Sequence, residues 1–451
     1  MYAIYSLLMA VGILLLSPYF VVRGLIQKKY LSNLPERFGR RFPPELIARN
    51  RVAATAKSIW IHAVSVGEVL AALPLAQRLT TKYPERRLVI STTTVTGQQL
   101  ARERMPFADA IFFFPMDWRG SVRRALAAVQ PAAVIIVETE IWPNFLRECR
   151  RVGVPVAFVN GRLSERSFRG FKRALLLSAG TLSAFLRKVL CDATLFLMQS
   201  ADDAERIIAL GAPTDRVRVT GNLKYDLAAP AAGPLCAWLE AQVNSSQRRP
   251  VILAGSVLAD EETLVLRAFA QVEREFPRAL FILAPRKPEQ FDNAAAIVEG
   301  TGRNLLRRSN LSLNGAGESS LQNPKIVLLL DSIGELASLY RLADAVFVGG
   351  SLVPGGGHNI LEPAAFGKVP IYGQSMENFR EMSANFLIAG AAIQVADPDE
   401  LGVAWTKLLK DEATAARMGD AARNLVEQNR GATQRVLEQL ENVLGPERST
   451  P

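Results

Sequence analysis

Histidine is nearly missing from this chain: of 451 residues only His62 and His358 are histidine. A His-rich metal site is therefore excluded, and a mixed one would have to be built largely from carboxylates. The expectation is metal-free chemistry that calls for no resident cofactor. Cysteine is as scarce. Cys149, Cys191 and Cys236 form no CxxC pair, and their odd number gives no disulfide framework, so a reducing compartment fits. Low complexity is absent too. With 49% hydrophobic and 21% charged residues the chain has ample apolar area to offset the entropy of ordering, which excludes a disordered protein. Its length suits two or three domains.

The formal charge is +10, and it is concentrated. Residues 23–51 hold eight basic and two acidic side chains, residues 162–188 hold seven and one, and the rest of the chain is close to neutral. Two short basic segments suit a surface facing anionic lipid at least as well as a phosphate polymer, and no nucleic-acid partner is expected. The first segment follows an uncharged run, YAIYSLLMAVGILLLSPYFVV at 2–22. At about 1.5 Å per residue that run would reach roughly one hydrocarbon thickness, which predicts a single-pass membrane anchor over 1–26. A signal peptide would want its bases first, whereas here Arg23, Lys28 and Lys29 follow. The same asymmetry places the body of the protein on the cytoplasmic side. Pro18 keeps open a helix lying in the membrane interface.

Beyond the basic connector, short apolar runs alternate with amphipathic stretches. SIWIHAVS (58–65), RLVIST (87–92), AIFFFP (110–115), AVIIVE (133–138) and VPVAFVN (154–160) form one series; VILAGS (251–256), ALFILAP (279–285), KIVLLLD (325–331), DAVFVGG (344–350) and KVPIYG (368–373) form another. Continuous runs rich in Val, Ile and Phe are the mark of parallel strands buried on both faces. The fold class is α/β, with one Rossmann-like domain over 27–225, a linker over 226–250, a second Rossmann-like domain over 251–430, and a terminal helix and tail over 431–451.

Ligands of open α/β sheets bind beyond the carboxyl ends of strands, and there the polar residues of this chain collect. SVGE (65–68), ETEIWPN (138–144), NGRLS (160–164), GNLKYD (221–226), PRKPEQ (285–290), DSIGEL (331–336) and GGSLVPGGGHN (349–359) all follow apolar runs. Together they describe a cleft. Ser65 and Glu68 have the spacing of a capping box, which would make Glu68 a helix-closing group; alternatively it is a general base at a helix N-terminus. Glu138 and Glu140 end an apolar strand on alternate carboxylates, so one of them faces the cleft. Successive amides of the glycine loop could cradle a phosphate. Asn359 and Glu362 again have capping-box spacing, yet Pro363 moves the helix start to Glu362 and frees its carboxylate for a ribose diol. Arg286, Lys287 and Lys224 could neutralise an anion or stand in solvent.

These segments together resemble the 3-deoxy-D-manno-octulosonic acid (Kdo) transferases. SIWIHAVSVGE, VETEIWPN, VNGRLSERS, GNLKYD, PRKPE, DSIGEL and SLVPGGGHNILEPAAFGKVPIYG carry the resemblance, which runs to about residue 430. It implies a glycosyltransferase-B fold, two Rossmann-like domains facing a cleft. It implies transfer of Kdo from CMP-Kdo to a lipid A precursor at the cytoplasmic face of the inner membrane, in lipopolysaccharide synthesis. By the same resemblance Glu68 falls on the catalytic base, and Glu138 and Lys224 on positions that stabilise the transition state. Nucleotide contacts fall on Pro285 and Arg286, on Ile333, Gly334 and Glu335, and on Asn359, Ile360, Leu361 and Glu362.

Three departures limit that transfer. Val257 and Leu258 stand where the family usually has Thr-His, Lys287 where it has His, and Gln374 and Ser375 where it often has Pro-His, so no role of those histidines carries over. The expected mechanism is direct inverting displacement, with the phosphate met by backbone amides and Arg286. The second basic segment, RSFRGFKRALLLSAGTLSAFLRK, is expected against an anionic bilayer. Competing classes are a transferase using a UDP-sugar and a non-catalytic membrane scaffold. A nicotinamide dehydrogenase fits less well, since no strand runs into GxGxxG with an acidic residue about 20 positions on.

Overall fold

The computed structural model describes residues 1–12, 33–47, 57–177, 180–226, 230–313, 321, 323 and 325–445. The chain divides into two units, Met1–Leu227 together with Asn429–Pro451, and Ala228–Gln428. Each is built on one seven-stranded sheet, and every strand pairing is parallel.

The first sheet contains β1 (Ser58–His62), β2 (Leu88–Thr92), β3 (Ala110–Phe113), β4 (Pro131–Val137), β5 (Val156–Gly161), β6 (Leu195–Met198) and β7 (Val217–Val219), in the spatial order β3-β2-β1-β4-β5-β6-β7. β1, β2 and β5 are buried along their whole length, which is why they read as unbroken apolar runs rather than as alternation. One face packs Trp60, Phe112, Phe145, Phe158 and Phe196. The other packs Ile61, Leu75, Leu79, Ile135 and Val159 against Val436, Leu437 and Leu440 of the last helix, Ala432–Leu444. The chain thus returns to close the core of the unit it began.

The second sheet contains β8 (Val251–Val257), β9 (Leu280–Pro285), β10 (Asn304–Arg307), β11 (Ile326–Leu329), β12 (Ala345–Val348), β13 (Pro370–Tyr372) and β14 (Ile393–Gln394), in the order β10-β11-β9-β8-β12-β13-β14. Phe269, Phe281, Phe347 and Trp405 anchor its core. Both units are therefore Rossmann-like α/β folds, as the apolar runs predict. β6, β7, β10 and β14 carry no such run in the sequence analysis. β6 is apolar throughout and mostly buried but only four residues long; β7, β10 and β14 are short edge strands that are at most partly covered, so burial demands less apolar sequence of them. The expected linker 226–250 contains the helix Pro234–Ser246, whose Leu235, Cys236, Leu239 and Val243 are buried.

The expected membrane span over 2–22 is not supported. Among the described residues no helix is long and apolar enough to cross a membrane, and residues 13–26 of the expected anchor lie outside them. Residues 2–12 are helical, and one face is polar and docked on the first unit. Tyr2 donates a hydrogen bond to Asp192, Tyr5 donates to Asp117 at 2.9 Å, and Ser6 bonds Asn144. The Tyr2 ring packs edge-on against Phe185. The other face is the apolar stripe Ile4, Leu7, Leu8 and Val11, all exposed. Its spacing of i, i+3, i+4, i+7 makes the helix amphipathic, with its apolar side turned outward.

Candidate active site

Where the strand order of a parallel sheet reverses, the loops leaving the two central strands diverge and open a crevice at their carboxyl ends. In the first sheet those strands are β1 and β4. Glu68 follows β1 and Glu138 follows β4, so the reversal brings together two carboxylates 70 positions apart in sequence.

Glu68 sits in the first turn of the helix Val66–Lys82 and is 7% exposed. Its Oε2 accepts a hydrogen bond from the Val64 amide at 2.6 Å, and its Oε1 accepts one from the Ser65 hydroxyl at 3.1 Å. A capping box would run differently: Ser65 would accept from the helix and Glu68 would bond the Ser65 amide. Ser65 makes no side-chain cap. Burial, followed by the negative charge of Glu138, pushes the Glu68 carboxyl up to about 8; the Val64 amide and Ser65 hydroxyl pull the other way and Glu140 adds to the rise. A carboxyl with that affinity exchanges protons near neutrality.

Glu138 ends its strand in the left-handed region, at φ 64°, where a non-glycine residue is uncommon. That turn sends its side chain to Lys224, whose Nζ lies 3.6 Å from Oε1. Glu140 is raised above the usual range by burial and then by Glu138. Lys224 is held through its backbone. Asn160, fully buried at the end of β5 with φ 55°, accepts from the Leu223 amide at 2.9 Å, and Asn222 accepts from the Lys224 amide at 3.0 Å. On the far side Asp226 accepts from the amides of Gly431 and Thr433. Asn160 therefore sets Lys224 against Glu138. Its signal in the sequence is an amide side chain ending an apolar strand, NGRLS, which by itself names no partner. His62 takes no part in proton chemistry: its ring stacks on Phe114 at 3.8 Å, and burial pushes it down to about 3, so it is a neutral core residue.

In the second unit the order reverses at β8 and β12, and the glycine loop follows β12. Its amides, expected to cradle an anion, are largely taken by the protein. Those of Gly350, Ser351 and Leu352 donate to the carboxylate of Glu261, and those of Gly355 and Gly356 donate to the Ser375 hydroxyl. The reading of these amides as a phosphate site is corrected accordingly. Sequence reasoning misses Glu261, which in ADEETL looks like an ordinary acidic residue opening a helix.

Past the loop, the helix spans Leu361–Ala365 and Ile360 is its N-cap, one residue earlier than Pro363 suggests. The Asn359 side chain accepts from the Leu361 amide at 3.1 Å and donates to Glu362 at 3.3 Å. Glu362 is raised by burial, against the opposing pull of Asn359 and of Arg286, whose charge reaches it. Burial, then Arg286, pushes His358 down to about 4. Arg286 is exposed just after the buried Pro285 that ends β9, and its amide donates to Val257. Ile333, exposed, and Gly334, at φ 92°, follow β11, while Glu335 is gripped by the Arg308 guanidinium and the Ser332 hydroxyl. The structure thus gathers Arg286, His358, Asn359 and Glu362, and sets the 333–335 turn beyond a strand of the same sheet.

Comparison with known proteins places the chain in a family. The family profile described as 3-deoxy-D-manno-octulosonic-acid transferase matches residues 32–227, and that of glycosyl transferases group 1 matches residues 263–425. The 3-deoxy-D-manno-octulosonic acid transferase of Bordetella pertussis is 35% identical over 91% of this chain and 92% of its own. That of Haemophilus influenzae is 32% identical over 93% and 94%. Among solved structures, UDP-GlcNAc 2-epimerase from Neisseria meningitidis matches 86% of this chain and all of its own, with a TM-score of 0.54 at 14% identity. A glycosyltransferase from Rickettsia africae gives 0.52 over 87% and 100%, also at 14% identity. These two share the fold alone. With a third of its residues identical to such transferases over nine-tenths of its length, the chain belongs to the Kdo transferase family and is a glycosyltransferase.

Proposed function

We infer that this glycosyltransferase moves Kdo from CMP-Kdo to a lipid A precursor in lipopolysaccharide synthesis, with inversion at the anomeric carbon. The observation that carries the reading is Glu68: a nearly buried carboxylate beside the strand-order reversal, with a pKa of about 8 set by burial and by Glu138. An acceptor hydroxyl is a poor nucleophile until a base takes its proton as it attacks, and a carboxylate tuned towards neutrality suits that step. The acceptor oxygen bonds to the anomeric carbon, the bond from that carbon to the CMP phosphate breaks, and the proton passes to Glu68. Lys224, beside Glu138, offers positive charge to the developing transition state. In the second unit Pro285, Arg286, the turn Ile333–Gly334–Glu335 and the run Asn359, Ile360, Leu361 and Glu362 take the nucleotide.

The acceptor is a lipid, so the reaction calls for a membrane surface, the cytoplasmic face of the inner membrane. Two surfaces of the first unit suit it. One is the outward stripe of Ile4, Leu7, Leu8 and Val11. The other is the helix Glu165–Leu177, where Arg166, Arg169, Lys172 and Arg173 stand exposed beside exposed Phe171.

Product formation from CMP-Kdo and a lipid A precursor tests the reading. Glu68→Ala is expected to abolish transfer while leaving CMP binding and the fold intact; near-normal turnover would remove Glu68 as the base. Inhibition by UDP rather than CMP would point instead to a UDP-sugar donor.

A further inference from the structure

We propose that Glu261 is a positioning residue that holds the glycine loop in its donor-binding shape before any nucleotide arrives, so that binding does not have to organise the loop. The proposal rests on the reading of the second unit as the nucleotide-binding one.

An acidic residue in the first turn of a helix ordinarily stands in solvent, where the helix dipole favours it modestly. Glu261, first residue of the helix Glu261–Glu275, is fully buried. Asp260 before it adopts φ 74°, a left-handed turn that points the helix start at the glycine loop. Glu261 Oε2 accepts from the amides of Leu258 at 2.9 Å and Gly350 at 2.6 Å; Oε1 accepts from Ser351 at 2.9 Å and Leu352 at 2.8 Å. Four amides occupy about all the acceptor positions a carboxylate has. Three of them are successive, the arrangement in which a loop of this kind would otherwise wrap an external anion.

The internal carboxylate therefore fills the place of a phosphate. The rest of the loop is tied to the portion it fixes. Gly357 donates to the Gly350 carbonyl at 2.8 Å, and Ser375 holds Gly355 and Gly356. Ser351, itself bonded to Glu261, accepts from the Gly373 amide at 2.9 Å. His358, Asn359 and Glu362 begin immediately past the Gly357 tie, so the path of 350–352 decides where they stand. Glu261 touches none of them. Its effect on the reaction passes through the backbone, and the donor's phosphate must find its countercharge elsewhere, with Arg286 the exposed cation beside Glu362.

Truncation separates positioning from mere packing. In the full-length, detergent-solubilised enzyme, Glu261→Ala should raise the KM for the nucleotide-sugar at least about tenfold, the scale of losing charge-assisted hydrogen bonds. The KM for the lipid acceptor should stay within about twofold. Formate, a free carboxylate able to enter the emptied nest, should restore the donor KM of Glu261→Ala. Chloride at equal ionic strength should not, and neither salt should change the wild type. An unchanged donor KM in the variant, or a raised one that formate leaves untouched, overturns the proposal. If the variant does not fold, amide hydrogen exchange of the wild type decides. Protection of Gly350, Ser351 and Leu352 without nucleotide, unaltered by CMP, supports a preformed loop, whereas protection acquired only on adding CMP refutes it. A wild type that neither binds CMP nor transfers would fault the nucleotide reading, and the exchange of the free enzyme would still report on the clamp.

Discussion

The strongest test of the first unit is the pH dependence of transfer with the charge next to Glu68 removed. A general base works only when unprotonated, and the Glu68 carboxyl is raised from an ordinary 4.5 to about 8. Each pH unit below the pKa lowers the ionised fraction tenfold, so at pH 7 only about a tenth of the molecules hold an active base. The value of kcat/KM should therefore climb about tenfold from pH 7 to its plateau, with a midpoint near 8. Glu138 is the second-largest cause of the rise, after burial. Glu138→Gln keeps the shape and removes the charge, so the midpoint must move towards acid even though the plateau falls through the loss of the Lys224 pair. Stability carries the same signature with its own sign. Between pH 4.5 and 8 the folded carboxyl keeps a proton that the unfolded one has released. The associated stability is full below 4.5 and is lost as pH rises to about 8, on the order of 5 kcal/mol over a shift of that size. Glu68→Gln should flatten that part of the stability curve, as chemical denaturation across the range would read. An ascending limb of kcat/KM centred near 4.5, or one that Glu138→Gln leaves in place, would refute the argument.

Two further outcomes test other parts of the structure. Reversing Arg169, Lys172 and Arg173 to Glu should weaken flotation with vesicles rich in anionic lipid much more than with neutral ones, with the gap closing at high salt; equal flotation would remove the basic helix from the membrane surface. Gly349→Ala would bring a Cβ to 2.5 Å from the Ser256 carbonyl oxygen and 2.7 Å from the Val257 Cα, both backbone atoms that cannot swing aside. It should cost about 2–3 kcal/mol and lower the melting temperature by several degrees, which calorimetry would show.

Which of these features can be read from sequence follows from the range of the forces involved. β1, β4, β5, β8 and β9 are legible because a parallel strand covered on both faces has to be apolar throughout, and that demand is written into consecutive residues. The edge position of β7 and β10 relaxes the demand, and with it the signal. Glu68 is legible as one of two things, a cap or a base. Only the position of Val64 and Ser65 sets the capping box aside, since both donate to its oxygens instead of completing it. At the N-terminus hydropathy leaves out what helical period adds for the described residues 2–12. Summed over 2–22 it gives one uncharged run; resolved by helical period, residues 2–12 separate Tyr2, Tyr5 and Ser6 from Ile4, Leu7, Leu8 and Val11, and the first set finds partners in Asp192, Asp117 and Asn144. What no local pattern contains is a partner chosen by the fold. Lys224 meets Glu138 because the Asn160 side chain holds the neighbouring Leu223 amide, and Glu261 meets amides some 90 positions away because the β8 and β12 ends adjoin. The second case changes the chemistry assigned to the loop. A run of glycines reads as a phosphate cradle until the carboxylate already lying in it is seen; once it is, the glycines are required for the close approach of backbone to backbone, at Gly349 against Ser256 and Val257, and the amides of Gly350, Ser351 and Leu352 are already taken.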